Sequence, residues 1–395
     1  MRIAIFSDCH AGHSWGEERG EDSFKGMAEA MEKSKGADLI LIAGDMFDSR
    51  IPKQEVFSQV ARILSVSQNY ESATKLVDVK MKEQRQLPTL RGTPIVTIYG
   101  THERRSSHLV NPVQLLEHTG HVLNLHCETA VFDIGGKKVA IHGMSGVPER
   151  FAKDCLVSWN PKPVLGAINI MMLHQSIDPY IYSPLDPPSL KVDDLPSGFD
   201  LYVLGHMHWW DNQRFKTGTL LITGSTCTTS IHKIESEQAK SIWFFDGSLL
   251  ERHSLPNQRK IIWKEFILDA DTRQHIETEL SKLPIEGQKP IFAVKVKGTL
   301  PVDAVPPNFA DIEDRFSDRA IITINKALQV EGWADQIELL VALKQTKMSP
   351  EEIGMRLLSE NLKATNCGIR AEEIFELLVD GQSDIIFNEL FGGKK

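Results

Sequence analysis

The chain has 395 residues, of which 41% are apolar and 25% charged, and its formal charge at pH 7 is -9. That length and balance fit roughly two to three globular domains with real cores and exclude a disordered or fibrous chain. The acidic excess excludes the whole-surface basic footprint of a stand-alone nucleic-acid binder, but not a local one, because carboxylates gathered around divalent cations are neutralised by them.

No stretch reaches the roughly eighteen uninterrupted apolar residues of a membrane span, and the N-terminus runs straight into a strand, so no membrane is expected and the chain reads as cytoplasmic. Five cysteines, Cys9, Cys127, Cys155, Cys227 and Cys367, include no Cys-x-x-Cys pair. This suggests neither a disulfide framework nor a thiolate zinc site, only small buried hydrophobes.

From Met1 to about Arg259 strand-like and helix-like segments alternate, as in an α/β layered domain. The first strand-like run is Ile3 to Asp8 and the second Leu39 to Asp45. A helix over Lys53 to Ser65 follows, with Val56, Val60, Ile63 and Leu64 at helical spacing. Ser67 to Arg91 is polar and reads as a surface excursion. After the run Ile95 to His102, Asn111 and Pro112 open a helix to His118 carrying Val113, Leu115 and Leu116. Either helix covers the sheet or meets another subunit. The runs Ile170 to His174 and Tyr202 to His208 come next, then strands at Thr219 to Thr223 and Ser241 to Phe245 that suggest a second sheet.

Near Ile261 a small α+β module opens, with a strand at Trp263 to Leu268, a helix at Asp271 to Leu283, a strand at Pro290 to Val296 and a further strand and helix up to about Val330. In the last stretch Ser349-Pro350-Glu351-Glu352 combines an N-cap, a first-turn proline and a capping-box Glu. It leads into Ile353, Leu357, Leu358 and Leu362, and a second amphipathic stretch carries Ile374, Phe375, Leu377 and Leu378. This helical pair either packs on its own domain or lies in a partner's groove.

Five of these runs end in Asp or His, and open α/β sheets place their chemistry beyond the carboxyl ends of their strands. Asp8-x-His10 and His206-x-His208 each put two donors on one side of an extended chain. Gly44-Asp45 sets a carboxylate where the glycine permits close approach, while His102 and His174 add imidazoles at the same edge. Singly, each has a bland alternative, a capping Asp or a loop His bonded to backbone. Together they form an oxygen and nitrogen donor set without sulfur, which suits Mn, Fe, Co or Zn, with Mn²⁺ the first choice. Two such ions, held a few ångströms apart, hydrolyse phosphoesters, and an imidazole not used as a ligand, His102, is free to protonate the leaving oxygen.

In their order, Asp-x-His, Gly-Asp-x-x-Asp, Gly-Thr-His-Glu, a lone His and Gly-His-x-His resemble the motifs of the calcineurin-like metallophosphoesterases. Met172 to Ile181, Tyr202 to His208 and Gly224-Ser225-Thr226 are similar to the archaeal double-strand-break repair nucleases of the meiotic-recombination-eleven or SbcD type. The resemblance implies a layered β-sandwich with flanking helices, one metal on Asp8, His10 and His208, a second on His174 and His206, Asp45 bridging, and His102 as the catalytic imidazole.

The family's Asn ligand before that His is Thr101 here, a shorter and weaker ligand, so unusual metal dependence is expected. The resemblance further implies a nuclease domain at 1–259, a DNA-capping domain at 260–332 and a linker with helical ATPase-binding segment at 333–395. Its implied activity is Mn-dependent 3′-to-5′ exonuclease and single-strand endonuclease action in double-strand-break repair. Implied partners are DNA, an ABC-type ATPase of the radiation-sensitivity-fifty or SbcC type, and a second copy paired through helices near 53–65 and 107–119.

Arg50, Arg104 and Arg105, beside motif residues, are candidates for DNA-backbone contacts or plain surface arginines. The competing readings are a phosphoesterase for a small phosphodiester or phosphoprotein, and a catalytically weakened DNA-end tether.

Overall fold

The computed structural model describes residues 1–330 apart from 107, 183–189 and 302–303, together with scattered residues between 352 and 378. A six-stranded sheet runs in the order Leu250–Ser254, Ser241–Phe245, Ile3–Phe6, Leu39–Ala43, Ile95–Ile98 and Leu123–Asn124. A seven-stranded sheet runs Trp210–Phe215, Gly218–Thr223, Leu201–Gly205, Ile168–His174, Lys137–Met144, Glu128–Ile134 and Lys75–Lys80. The strands that lead to the expected ligands lie parallel within their sheets, so their carboxyl ends share one rim in each.

Alternation along these strands builds a layered core. Ile3, Ile5, Leu39, Leu41, Ile170, Met172, Leu201 and Val203 fill the space between the sheets. Ala4, Phe6, Ile40 and Ile42 face outward beneath the helices Asp22–Lys33, Gln54–Ser65 and Pro112–His118. Met171, Leu173, Tyr202 and Leu204 face the other way, with Ala152 and Leu156 of the helix Glu149–Trp159. Each central strand is therefore buried on both sides, which is why it reads as a continuous apolar run. The Pro112–His118 helix opens on the expected N-cap Asn111, and the structure adds a capping box in which Asn111 and Gln114 satisfy each other's backbone N–H groups.

Three expectations need correction. The polar stretch after Ser67 contains a strand, Lys75–Lys80, at the edge of the seven-stranded sheet; one exposed face leaves it too polar to stand out. The strands near Thr219 and Ser241 do not pair with each other. Gly218–Thr223 joins the seven-stranded sheet, whereas Ser241–Phe245 runs antiparallel to Ile3–Phe6. In the small module the short helix Ala310–Arg315 precedes its last strand.

The chain divides into two compact units, one comprising Met1–Lys264, Gln274–Val294 and Ala310–Ile324, the other Glu265–Arg273, Lys295–Phe309 and Asn325–Lys395. The strands Ile261–Ile267, Ile291–Leu300 and Ile321–Val330 form a three-stranded sheet with the second in the middle. Most of the C-terminal helical pair lies outside the described residues. Among those described, no helix is long and apolar enough to cross a membrane.

Candidate metal centre

The five ligand-bearing runs do not meet along one sheet. Three belong to the six-stranded sheet and two to the seven-stranded sheet, and their ends converge from both. Nor are the Asp-x-His and His-x-His segments extended. Asp8, His10, Asp45 and His206 have φ of 52°, 45°, 46° and 89°. Backbone in this region is strained for non-glycine residues and persists only where its surroundings hold it. Here the Asp8 N–H donates to Gly44 O at 3.0 Å and the His10 N–H to Asp45 O at 2.9 Å, so the two loops brace each other. Gly44, at φ 92°, and Gly205 both lie against the His174 ring, and a Cβ at either would overlap its Nδ1.

The donors converge. Asp8 Oδ1 lies 3.8 Å from His10 Nε2, 4.0 Å from His174 Nε2 and 4.0 Å from His208 Nε2. These separations are too long for hydrogen bonds. Those to His10 and His208 match the roughly 3 to 4 Å between ligand atoms on one cation with bonds of about 2.0–2.2 Å. His10 Nε2 and His208 Nε2 face each other at 3.0 Å, an arrangement that two neutral imidazoles favour when a cation lies between their lone pairs. On the other side Asp45 Oδ2 is 3.0 Å from His174 Nε2, and Asp45, His174 and His206 bring their donor atoms within 4.8 Å of one another. Thr101 stands against the same carboxylate, its Oγ1 donating to Asp45 Oδ2 at 3.3 Å.

Three of the imidazoles are oriented through their other nitrogen. His174 Nδ1 donates to Ala43 O at 2.8 Å, His10 Nδ1 meets Asp48 Oδ1 at 3.0 Å, and His208 Nδ1 meets Thr229 Oγ1 at 2.9 Å. Such outer contacts set the tautomer of a ligating histidine. Behind His208, buried Glu235 pairs with Lys240 at 2.7 Å, and Lys240 also donates to His208 O. Tyr182 clamps the His206 loop, donating to His206 O at 3.1 Å and accepting the His208 N–H at 3.0 Å. Buried Glu103 accepts the N–H groups of Phe47 and Gly100, tying the Asp45 loop to the His102 loop.

Electrostatics agree with the donor set. Burial lowers His10 and His208 and takes His206 down to about 3, so these rings present lone pairs. Burial pushes Asp8 up to about 6, with neighbouring Asp45 adding to the rise. Glu103 is pushed up to about 8 by burial and by Asp45. Burial opposes charge on His174, but the Asp45 carboxylate beside Nε2 outweighs it and takes the ring up to about 10. The cluster thus demands positive charge among its carboxylates, and nitrogen and oxygen donors without thiolate fit a divalent metal there.

His102 sits at the rim, 45% exposed, with its N–H donating to Asp45 Oδ1 at 2.9 Å and its Nδ1 3.1 Å from Asp48 O. Arg50 is exposed and lines the same opening as Thr101 and His102. Arg105 donates to Val110 O, and Arg104 is half-buried with its Nη1 unmet among the described residues. Sequence reasoning missed Asp48, Glu103, Tyr182, Thr229, Glu235 and Lys240. Asp48 and Glu103 had a signal, as the last carboxylates of Gly-Asp-x-x-Asp and Gly-Thr-His-Glu; Tyr182, Thr229 and Lys240 act from loops and Glu235 from the short helix Lys233–Glu237, with no spacing to mark them.

The calcineurin-like phosphoesterase family matches residues 1–210. Over 227 residues the chain is 29% identical to the DNA double-strand break repair protein Mre11 of Methanopyrus kandleri, covering 53% of this chain and 44% of that protein. It is 27% identical over 335 residues to Mre11 of Thermoplasma acidophilum, covering 80% of this chain and 81% of that protein. With Mre11 of Methanocaldococcus jannaschii it shares 30% identity over 167 residues, 41% of each chain. The chain therefore spans less than half the length of the first of these relatives and about four-fifths of the second.

Proposed function

The chain belongs to the calcineurin-like phosphoesterase family, and on that premise we propose that it is a metal-dependent DNA nuclease of the double-strand-break repair kind. It removes nucleotides 3′ to 5′ from duplex ends and cuts single strands. The observation that carries this is the Asp8 carboxylate ringed by the Nε2 atoms of His10, His174 and His208. The likeness to Mre11 over 80% of the chain supports DNA as the substrate.

The family implies divalent metal. We assign Asp8, His10 and His208 to one ion and His174 and His206 to another, with Asp45 between them and Thr101 beside the second. Two Mn²⁺ ions bound there would supply an activated water and neutralise phosphoryl oxygens. The chain's own part is orientation and proton handling. Asp48, Thr229 and Ala43 O hold the imidazoles so that Nε2 faces inward. His102, with Nδ1–H directed to Asp48 O, keeps Nε2 toward the opening; as the imidazolium it gives its Nε2 proton to the departing sugar oxygen and is left as the neutral Nδ1–H ring. Arg50 stands where the phosphate backbone enters, with Arg104 and Arg105 behind it.

Further parts of the proposal are a division at 1–259, 260–332 and 333–395, with the middle part capping DNA and the C-terminal segment docking an ABC-type ATPase. A second copy pairs through the faces near 53–65 and 107–119, supported by the cleft between Ile51, Phe57, Val110 and Leu115, whose Ile51, Val110 and Leu115 are exposed. One observation favours the weakened-tether reading. Thr101 Oγ1 spends its proton on Asp45, where the family places an amide oxygen.

The test is incubation of the chain with Mn²⁺ and end-labelled duplex beside a small phosphodiester. Shortening of the duplex from its 3′ ends supports the proposal. Hydrolysis of the small diester with intact DNA selects the small-substrate reading, and DNA binding without cleavage selects the tether.

A further inference from the structure

The chain crosses from the six-stranded to the seven-stranded sheet between Asn124 and Glu128. Within that crossing Cys127 takes φ 55°, which breaks the alternation that sends neighbouring side chains to opposite sides. His126 and Cys127 consequently face one place. The helix Glu149–Trp159 brings Cys155 to it, with Sγ 3.4 Å from Cys127 Sγ. One donor atom from each of His126, Cys127 and Cys155 lies within 4.8 Å of the others. Both thiols are free, and His126 Nδ1 is buried with no hydrogen-bond partner among the described residues. An unmet buried polar atom in a native fold calls for an explanation, an absent ion among them.

We propose that His126, Cys127 and Cys155 form a second metal site, distinct from the Asp/His centre, that takes a zinc-like divalent ion with its fourth position open to solvent. Two sulfurs and one imidazole are a soft donor set that selects zinc over the manganese suited to oxygen and nitrogen ligands. Two thiolates on one tetrahedral zinc, with bonds of about 2.3 Å, sit roughly 3.8 Å apart, whereas a disulfide needs about 2.05 Å. The observed 3.4 Å is nearer the first.

A cleft lined by Lys80, Lys82, Trp159 and Lys162 opens on the two cysteines and leaves room for a water ligand. The contact with Cys127 takes the Cys155 thiol down to about 7, with the Lys82 ammonium helping, while the same contact and burial push Cys127 well up. The ion ties the inter-sheet crossing to the covering helix. It also backs the ring of Tyr99, which stacks on His126 at 5.4 Å just before Gly100.

Cobalt separates this site from the other, because only thiolate ligands give an intense sulfur-to-cobalt charge-transfer band. The full chain, stripped with chelator and titrated with Co²⁺, is expected to develop that band, and Zn²⁺ to bleach it while excess Mn²⁺ does not. Cys155→Ser should lose at least half of its intensity, and His10→Ala should keep it. In the wild-type protein Zn²⁺ should also protect Cys127 and Cys155 from iodoacetamide, a readout that needs no variant to fold. Absence of the band, full intensity in Cys155→Ser, or equal alkylation with and without zinc overturns the proposal. So does air oxidation to a Cys127–Cys155 disulfide with no metal uptake by the reduced chain.

Discussion

Replacing His102 with glutamine separates proton donation from metal binding. The His102 backbone N–H that holds Asp45 Oδ1 at 2.9 Å survives any substitution. The ring is 45% exposed and makes one hydrogen bond, Nδ1 to Asp48 O at 3.1 Å, so its loss costs at most about 0.5–1.5 kcal/mol of stability. Removal of a general acid costs about 10²- to 10⁴-fold in rate. At about 1.36 kcal/mol per decade, that is about 2.7–5.4 kcal/mol of transition-state stabilisation.

Single-turnover cleavage of end-labelled duplex in Mn²⁺ measures the rate, and metal content measured on the same sample checks that the centre is intact. A nucleotide p-nitrophenyl ester sharpens the test, because its leaving group departs without a proton. His102→Gln should slow DNA cleavage by the full factor and the ester far less, at unchanged metal content. Equal loss on both substrates, or no loss on DNA, would refute the assignment of His102 as proton donor.

Thr101→Asn supplies an amide oxygen beside Asp45 and should lower the Mn²⁺ concentration for half-maximal cleavage, read by metal titration; an unchanged midpoint argues that Thr101 is not at a metal position. Lys240→Met strands the buried carboxylate of Glu235 and should destabilise the chain by about 3–5 kcal/mol in urea unfolding, with His208 loosened as well. The double variant Lys240→Met, Glu235→Leu should recover part of that loss, and a single variant as stable as wild type would show the pair to be inert. Leu115→Glu puts a charge on the exposed face of the helix Pro112–His118 and should convert a dimer to a monomer by light scattering. A monomeric wild type, or a variant that stays dimeric, removes that face from the interface.

Much of the centre was legible in the chain itself. A parallel strand buried on both faces must be apolar throughout, so Leu39 to Ala43 and Ile170 to Leu173 announce themselves, and the first polar residues beyond them are where chemistry can sit. The Asn111 N-cap ahead of Pro112 was legible for a similar reason, since it is written within one turn, whereas its reciprocal bond from Gln114 was not read. Lys75–Lys80 was not, because an edge strand with an exposed face has no apolar signature.

What the sequence alone offered is a set of candidate metal donors in order, Asp8, His10, Asp45, His174, His206 and His208, with His102 beside them as a candidate proton donor, because strand burial and ligand chemistry are written in neighbouring residues. Only the tertiary structure decided that these donors come from two sheets rather than one, that the loops carrying them turn through positive φ, and that Glu235 and Lys240 stand behind His208. It alone also brought Cys155 to His126 and Cys127. The physical reason is range: local patterning reports what a segment buries, whereas the meeting of side chains up to about 200 positions apart is set by strand register and sheet packing, which no single segment encodes.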